Sequence, residues 1–164
     1  MALMDVLGRR LVLTTEVLAE VRALAEARYP EEACGFLAGP LEPRELVDSC
    51  RPVPNAWDRL HQLDPARFPG SSQQHHAMMP GELLPLLQDP GSHLKVLFHS
   101  HPDGGGDPSE EDLREALLDG IATYPVQHLI LGLRGGQVQE MVLHDLAARR
   151  SFTLWSRSGG QEGP

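Results

Sequence analysis

The spacing of apolar residues along the chain predicts one early helix and a set of short buried strands. From Thr14 to Ala27 the apolar residues recur at helical intervals, with Thr15 placed to cap the helix and Pro30 to end it. Short and almost wholly apolar segments are typical of buried strands. Such segments predict strands over residues 11–13, 32–39, 45–53 and 94–99.

The same pattern continues through the C-terminal half of the chain. A loop rich in Gly, Asp and Pro follows the strand at 94–99, and a helix is predicted from Ser109 to about Asp119. The apolar segments 127–133 and 137–144 are separated by Arg134-Gly135-Gly136, which is a typical hairpin connection. A last strand is predicted over 151–155, and the Gly-rich and Ser-rich tail at 157–164 is expected to be disordered.

This order of elements predicts a single domain over residues 1–156 with an α/β fold. A central mixed β-sheet is flanked by helices, with the Thr15 helix on one side and the Ser109 helix on the other. The strands at 32–39 and 94–99 are expected to be adjacent. Nine of the 14 prolines lie between Pro40 and Pro90, so this stretch is predicted to be largely loop apart from the 45–53 strand and a short helix at 81–88.

Composition excludes several classes of function. The chain has 23 acidic residues against 14 Lys and Arg, a formal charge of −9, which argues against nucleic-acid binding. Two cysteines are too few for a disulfide framework, and no apolar run approaches the roughly 20 residues that span a bilayer. The first ten residues place Asp5 early and the arginines after the apolar stretch, the reverse of a secretory signal. A cytoplasmic protein without membrane contact is therefore expected.

The segment from His99 to Asp112 carries the candidate chemistry. Residues two apart on a strand point to the same face, so His99 and His101 can converge on one metal ion. Imidazole suits zinc, which in catalytic sites takes three protein ligands and leaves a fourth position open. Asp103, Asp107 and Asp112 are the candidate third ligands, and the position of Asp112 in the first turn of a helix favours it.

A structural interpretation of the same residues is also available. Ser109 followed three residues later by Asp112 is a common helix start, with Ser as the N-cap and an acidic residue near the positive end of the helix dipole. A His-x-His pair alone is also weak evidence for a metal. The two interpretations are compatible, because a cap on this helix would fix the position of Asp112.

Taken together, these residues resemble the JAMM (MPN+, JAB domain) metalloprotease family, the zinc-dependent isopeptidases that cut ubiquitin and ubiquitin-like tails. The family pattern is an upstream Glu, then His-x-His-Pro, six residues, Ser, two residues and Asp. Here it reads His99-Ser100-His101-Pro102, then Ser109 and Asp112 without a gap. The upstream Glu lies in Pro-x-Glu-x-x-Gly-x-Leu-x-Gly, a register that selects Glu32 with Glu31 as its nearest rival.

The resemblance implies a role for each of these residues and an α–β–α architecture similar to that of cytidine deaminases. It implies that His99, His101 and Asp112 ligate one Zn²⁺ per chain. Glu32 would be the general base that passes a proton to the leaving amine. Ser109 would donate a hydrogen bond to the oxyanion. No covalent intermediate is implied, so neither cysteine is needed as a nucleophile.

The remaining histidines and cysteines are interpreted as mainly structural. Cys34 would share a strand face with Glu32, and a small buried hydrophobe is favoured over a zinc ligand or a redox role; Cys50 is expected in the core. His75 and His76 are expected to be surface imidazoles in a polar loop, with substrate contact as the alternative. His128 and His144 are expected to satisfy backbone groups, and Glu110 and Glu111 to form a solvated first turn.

In related enzymes two loops grip the substrate tail by strand addition, and here the corresponding segments are 55–80 and 120–126. The second is short, which resembles the prokaryotic stand-alone, deubiquitinase-like branch. The resemblance implies a ubiquitin-like or sulfur-carrier protein as substrate, with E1-like and E2-like enzymes as possible members of the same pathway. Two alternatives stay open: a zinc amidohydrolase that releases a small molecule from a sulfur-carrier protein, and a non-catalytic MPN scaffold.

Overall fold

A computed structural model of the protein describes residues 10–118, 121–122 and 126–157. Within these residues lie ten β-strands, four α-helices and one 3₁₀ helix. The strands are β1 (Val12–Leu13), β2 (Cys34–Gly39), β3 (Leu46–Val47), β4 (Ser49–Val53), β5 (His93–His101), β6 (Leu117–Leu118), β7 (Ile121–Ala122), β8 (Gln127–Arg134), β9 (Gln137–Asp145) and β10 (Arg150–Ser156). The helices are α1 (Thr15–Arg28), α2 (Trp57–Leu63), α3 (Leu84–Leu87) and α4 (Glu110–Ala116), and the 3₁₀ helix is Pro80–Leu83.

Six strands form the central sheet in the order β10-β9-β8-β5-β2-β4. The β5–β8 pair is parallel and the other neighbours are antiparallel, so the sheet is mixed, as the sequence predicts. Strands β2 and β5 are adjacent, with Cys34 opposite His99, which confirms the predicted pairing of these two strands. The predicted α/β fold, a central mixed sheet flanked by helices, is therefore correct.

Helix α1 packs its apolar stripe into the main core. Val17, Val21 and Ala25 follow one another at intervals of four residues and are all buried. The N-cap is Thr14 rather than the expected Thr15, because the Oγ1 of Thr14 accepts a hydrogen bond from Val17 N at 3.2 Å. An N-cap side chain accepts a hydrogen bond from a backbone N–H two or three residues ahead. Thr14 lies three residues before Val17 and has extended backbone angles, whereas Thr15 is already the first residue of the helix.

The stretch between Pro40 and Pro90 contains more regular structure than predicted. Helix α2 was not expected, and it buries Trp57 against the edge of the Phe68 ring, with 5.4 Å between ring centroids. The strand predicted at 45–53 is divided into β3 and β4 at Asp48, whose N–H donates to Ala38 O. The helix predicted at 81–88 is a 3₁₀ turn followed by α3. These elements are too short to produce a sequence period, which is why the pattern of apolar residues missed them.

Element boundaries near the candidate site differ from the prediction in two respects. Strand β2 begins at Cys34, so Glu32 precedes the strand rather than lying within it. Helix α4 ends at Ala116, three residues before the predicted Asp119, which lies outside the described residues together with the tail beyond 157.

The hairpin of β8 and β9 has its turn at Gly135-Gly136, both with positive φ, as a two-residue connection requires. No helix in the described part of the chain is long and apolar enough to cross a membrane.

Candidate metal centre

Three side chains from β5 and α4 converge at the carboxyl end of β5. His99 Nε2 lies 3.0 Å from His101 Nε2, and each nitrogen lies 3.1 Å from Asp112 Oδ2. A tetrahedral zinc ion with bonds of about 2.0–2.1 Å separates its ligands by about 3.3 Å, close to these distances. The three residues predicted as ligands are thus brought together, whereas exposed Asp103 contacts Tyr29 and Gly135 instead.

The hydrogen bond of His101 to the loop determines which of its nitrogens is left to a metal ion. His101 Nδ1 lies 2.9 Å from the carbonyl oxygen of Gly105. A carbonyl only accepts, so Nδ1 carries a proton, and Nε2 is the nitrogen that faces Asp112 Oδ2. In the metal-free protein a proton on Nε2 can bridge to the carboxylate, and a metal ion bound between them would take its place. Two imidazoles and one carboxylate form a donor set that zinc prefers, so these residues fit a metal ion.

The pKa values of the two histidines are shifted in opposite directions. Burial lowers the pKa of His99 to about 3, with a further lowering by neighbouring His76. Burial also opposes the imidazolium of His101, but hydrogen bonds with Asp112 and with the Gly105 carbonyl raise its pKa above the ordinary value. Burial disfavours the charged form of Asp112, but the hydrogen bonds from both imidazoles hold its pKa far below the ordinary value. A carboxylate ligand is thus ready for a cation at neutral pH.

Helix α4 begins with a reciprocal cap that holds the third candidate ligand. Asp112 N donates to Ser109 Oγ at 3.1 Å, and Ser109 N donates to Asp112 Oδ2 at 2.9 Å. This is the capping arrangement that the sequence offered as the structural interpretation of the pair. The cap uses the Ser109 oxygen as an acceptor, which leaves the hydroxyl proton available to a group in the adjoining cavity.

Glu32 reaches the same centre from the residues just before β2. Its side chain is 4% exposed, and its Oε2 has no hydrogen-bond partner among the described residues. Its backbone is fixed on both sides, because Glu32 N donates to Ser72 O and Asn55 Nδ2 donates to Glu32 O. Glu31, the alternative in sequence, is exposed. A buried carboxylate oxygen without a donor is costly unless a ligand or a substrate proton meets it.

His76 is a component of the centre that the sequence analysis did not identify. It was expected at the surface, but its ring stacks on His99 with 4.2 Å between centroids, and its Nδ1 lies 3.6 Å from Glu32 Oε1. Glu32, His76 and His99 form a second group with ligand atoms within 4.8 Å of one another. Stacked rings direct their in-plane lone pairs side by side, whereas the His99 and His101 rings are inclined by 62° and converge. The first group therefore fits a metal ion better.

The neighbouring His75 fastens this loop to α4. Its Nδ1 lies 2.6 Å from Glu111 Oε2, and its ring stacks on Trp57 with 4.4 Å between centroids. Both side chains stay partly exposed, as predicted for a surface imidazole and a solvated Glu111, but they are paired with each other. No periodicity marks residues in a proline-rich segment, so only tertiary structure reveals these contacts.

A cavity of about 270 Å³ opens beside His101 and Asp112. One wall is the 73–76 segment, and the opposite wall is the start of α4. Its lining includes four carboxylates and three imidazoles: Glu32, Glu111, Asp112, Glu115, His75, His76 and His101. A second cavity of about 180 Å³ shares His76, Asp112 and Glu115 with the first and is otherwise mainly apolar, with His99 and His128 in its wall.

The two cysteines and His144 complete the comparison with the sequence. Burial raises the pKa of both Cys34 and Cys50 to about 12, which suits inert thiols. Cys34 is 1% exposed, as expected for a small buried hydrophobe, and Cys50 packs against the main core. His144 satisfies a backbone group as predicted, with its Nε2 at 2.6 Å from Gly106 O.

Comparisons with known proteins place this geometry in a family context. A search of the curated proteins returns no match. Among solved structures, the chain is similar to a protein from Desulfitobacterium hafniense at 28% identity and a TM-score of 0.57, covering 80% of this chain and 82% of that one. It is also similar to a protein from Salinibacter ruber at 21% identity and a TM-score of 0.56, covering 93% and 94% of the two chains.

A third similar structure is a JAB1/MPN domain protein from Archaeoglobus fulgidus, at 16% identity and a TM-score of 0.51, covering 85% of this chain and 93% of that one. At this identity the likeness concerns the fold alone. A scan against protein-family models matches residues 14–150 with the family described as prokaryotic homologs of the JAB domain. That match contains every element of the candidate centre, and the chain belongs to the JAB domain family, among its prokaryotic homologues.

Proposed function

We propose that the protein is a zinc-dependent isopeptidase that hydrolyses the bond after the C-terminal glycine of a ubiquitin-like protein, in deconjugation, precursor processing or both. The observation that carries this proposal is the triangle of His99, His101 and Asp112 ligand atoms, with Glu32 and Ser109 bordering the same cavity. Family membership alone does not decide the activity. The complete set of polar groups around one cleft favours an enzyme over a scaffold.

His99, His101 and Asp112 would hold the metal ion. Zinc bound there would supply Lewis-acid activation of a water molecule and of the scissile carbonyl at neutral pH. Glu32 would accept the proton of the attacking water at its unpartnered Oε2 and then return it to the leaving amine. The low exposure of Glu32 keeps competing water away from this carboxylate.

Ser109 would donate its hydroxyl proton to the oxygen of the scissile carbonyl as negative charge develops there. The cap with Asp112 N fixes the Ser109 oxygen before any substrate binds, so little reorganisation is needed. One oxyanion donor of this kind is worth about 3–4 kcal/mol of the barrier. The same cap also holds α4, so Ser109 would have both a structural and a chemical role.

The segments that border the cavity favour an extended protein tail as substrate. The wall at 73–76 belongs to the 55–80 segment that the family resemblance associates with the tail of a ubiquitin-like or sulfur-carrier protein. Trp57 and the contact between His75 and Glu111 hold this wall in place before substrate binds. Cooperation with E1-like and E2-like enzymes, and action in the cytoplasm, belong to the same proposal.

The test combines zinc stoichiometry with a cleavage assay. Ubiquitin-like and sulfur-carrier proteins, each joined through its C-terminal glycine to a reporter peptide, are incubated with wild-type protein and with Asp112→Asn. We expect one zinc per wild-type chain, cleavage directly after the glycine, and loss of both in the variant. A folded wild type that binds no zinc, or a zinc-loaded wild type that cleaves a small-molecule amide but none of these fusions, would contradict the proposal.

A further inference from the structure

The segment that joins β5 to α4 is held against β9 by two hydrogen bonds at a single residue. Gly106 N donates to Glu140 Oε1 at 2.6 Å, and His144 Nε2 lies 2.6 Å from Gly106 O. Because a carbonyl only accepts, His144 donates through Nε2. Gly106 and His144 are buried, so neither bond is readily replaced by water. The backbone N–H and C=O of Gly106 are therefore both held by side chains of β9.

The residue before this anchor orients one of the candidate metal ligands. The carbonyl of Gly105 accepts the Nδ1 proton of His101 at 2.9 Å. The hydrogen bond made by one imidazole nitrogen determines which nitrogen is left to a metal. A displacement of Gly106 would move the Gly105 carbonyl with it, and His101 would lose the partner that holds a proton on Nδ1 and so leaves Nε2 to a metal.

The loop between β5 and α4 can pack against β8 because the β8 residue at the contact is a glycine, Gly132. A Cβ atom at Gly132, which pairs with His101 across the two strands, would come within 2.7 Å of Gly104 O and 2.9 Å of Gly105 C. The other end of the loop is fastened by Asp103, which accepts hydrogen bonds from Tyr29 OH at 2.6 Å and Gly135 N at 2.9 Å. The Gly105 carbonyl is thus held from both sides.

We propose that Glu140 and His144 are positioning residues for the metal centre, acting through Gly106 and the Gly105 carbonyl to keep His101 oriented with its Nε2 as the ligand atom. The inference deepens the proposed function and rests on it for the metal. It assigns a role to two β9 side chains that lie outside the His-x-His-Pro, Ser and Asp pattern. A direct hydrogen-bond partner of a metal ligand typically changes metal affinity by about 10–100-fold, which sets the upper limit for side chains that hold such a partner in place.

The first measurement is the zinc dissociation constant of wild-type protein and matched variants. Glu140→Met and His144→Phe remove the hydrogen bonds to Gly106, whereas Glu140→Gln and His144→Gln keep an acceptor and a donor in the corresponding positions. Gln139→Ala on the same strand is the control, because its side chain contacts only the carbonyl of Gln137 in the described hydrogen bonds. We expect zinc binding to weaken by about 10-fold, and by no more than about 100-fold, in Glu140→Met and His144→Phe. The two Gln variants should recover most of the loss, and the control should bind as wild type does.

The second measurement reports the orientation of His101 without any metal. In chelator-treated protein at alkaline pH, nitrogen-15 shifts of the His101 ring show which nitrogen carries the proton. We expect Nδ1–H in wild type and in the control, and a mixture of both forms in Glu140→Met and His144→Phe. Thermal unfolding of each variant confirms that the fold is retained, and the Glu140 pair remains informative if His144→Phe does not fold.

The two measurements separate this inference from the proposed function. Zinc binding and His101 protonation that are unchanged in folded Glu140→Met and His144→Phe would overturn the positioning role while leaving the zinc site intact. A wild type that binds no zinc, but whose His101 proton shifts in these variants, would overturn the zinc enzyme and support the orientation of His101 by β9.

Discussion

At the scale of single residues, the environment of Glu32 predicts its chemical role. The carboxylate is almost fully buried, with one oxygen near His76 and the other without a partner among the described residues. Replacing it by Gln keeps the shape and removes the base, so Glu32→Gln should bind zinc normally and lose about 10²–10⁴-fold in turnover. The measurement is the cleavage rate at saturating zinc, with metal content determined on the same samples.

The neighbouring carboxylate supplies the control for that change. Glu31→Gln alters an exposed side chain one position away and should retain wild-type turnover. An inactive Glu31→Gln beside an active Glu32→Gln would reverse the assignment of the base and move the family register by one residue.

His128 predicts a pH dependence of stability. Burial lowers its pKa to about 4; the Asp112 carboxylate acts in the opposite direction, and His144 and His76 lower the pKa further. In the unfolded chain the imidazole gains a proton near pH 6.5, whereas in the folded chain it stays neutral until about pH 4. The free energy of unfolding should therefore be highest above pH 6.5 and fall by up to about 3 kcal/mol as the pH is lowered to 4.

The pKa of His99 is also lowered, so His99 also makes the metal-free protein less stable as the pH falls. The contribution of His128 is therefore isolated by difference. Denaturant unfolding of zinc-free wild type and His128→Phe at a series of pH values gives the two curves. The curve of the variant should be flatter between pH 6.5 and 4, and parallel curves would show that His128 titrates normally in the folded protein.

At the scale of elements, the contact between β8 and the loop after β5 depends on one glycine. Gly132→Ala would place a methyl group against backbone atoms of Gly104 and Gly105 that cannot rotate away. Overpacking of this kind costs about 1–3 kcal/mol. The displaced Gly105 carbonyl should also weaken zinc binding, so unfolding and metal titration are both measured.

Gly81→Ala is the matched control, since a Cβ atom there meets no atom within 4 Å. It should bind zinc as wild type does and be no less stable, since Gly→Ala at an unstrained position stabilises a protein by about 0.4–1 kcal/mol. Normal zinc binding by Gly132→Ala would mean that the loop relaxes without moving the carbonyl that orients His101.

The elements also show which parts of this structure a sequence can predict. Helix α1 and the β8–β9 hairpin were predicted nearly to the residue, because one has a long helical period and the other has Gly-Gly at its turn. Helix α2 was missed because seven residues between prolines carry too little period. His76 was misplaced for a different reason. Its contact with His99 joins a proline-rich segment to a distant strand, and no local pattern encodes that pairing.

At the scale of the whole molecule, the candidate metal centre connects the central sheet to α4. None of the residues of α4 is buried, so apolar packing contributes little to holding this helix in place. Its connections among the described residues include the Ser109 cap, the contact of Glu111 with His75, and the approach of Asp112 to the two histidines of β5. A metal ion in that triangle would cross-link helix and sheet.

Metal removal should therefore loosen one region of the molecule before it unfolds the rest. Ligand binding at 100 times its dissociation constant stabilises a folded protein by about 2.7 kcal/mol, so chelation should lower the midpoint of thermal unfolding. Hydrogen exchange should accelerate first at the amides of α4 and of the 73–76 segment, while β5 and β8, buried in the centre of the sheet, keep their protection. Asp112→Asn should exchange rapidly in α4 with or without zinc. An equal acceleration across sheet and helix on chelation would mean that the metal supports the whole core, and no change anywhere would mean that the triangle binds no ion at all.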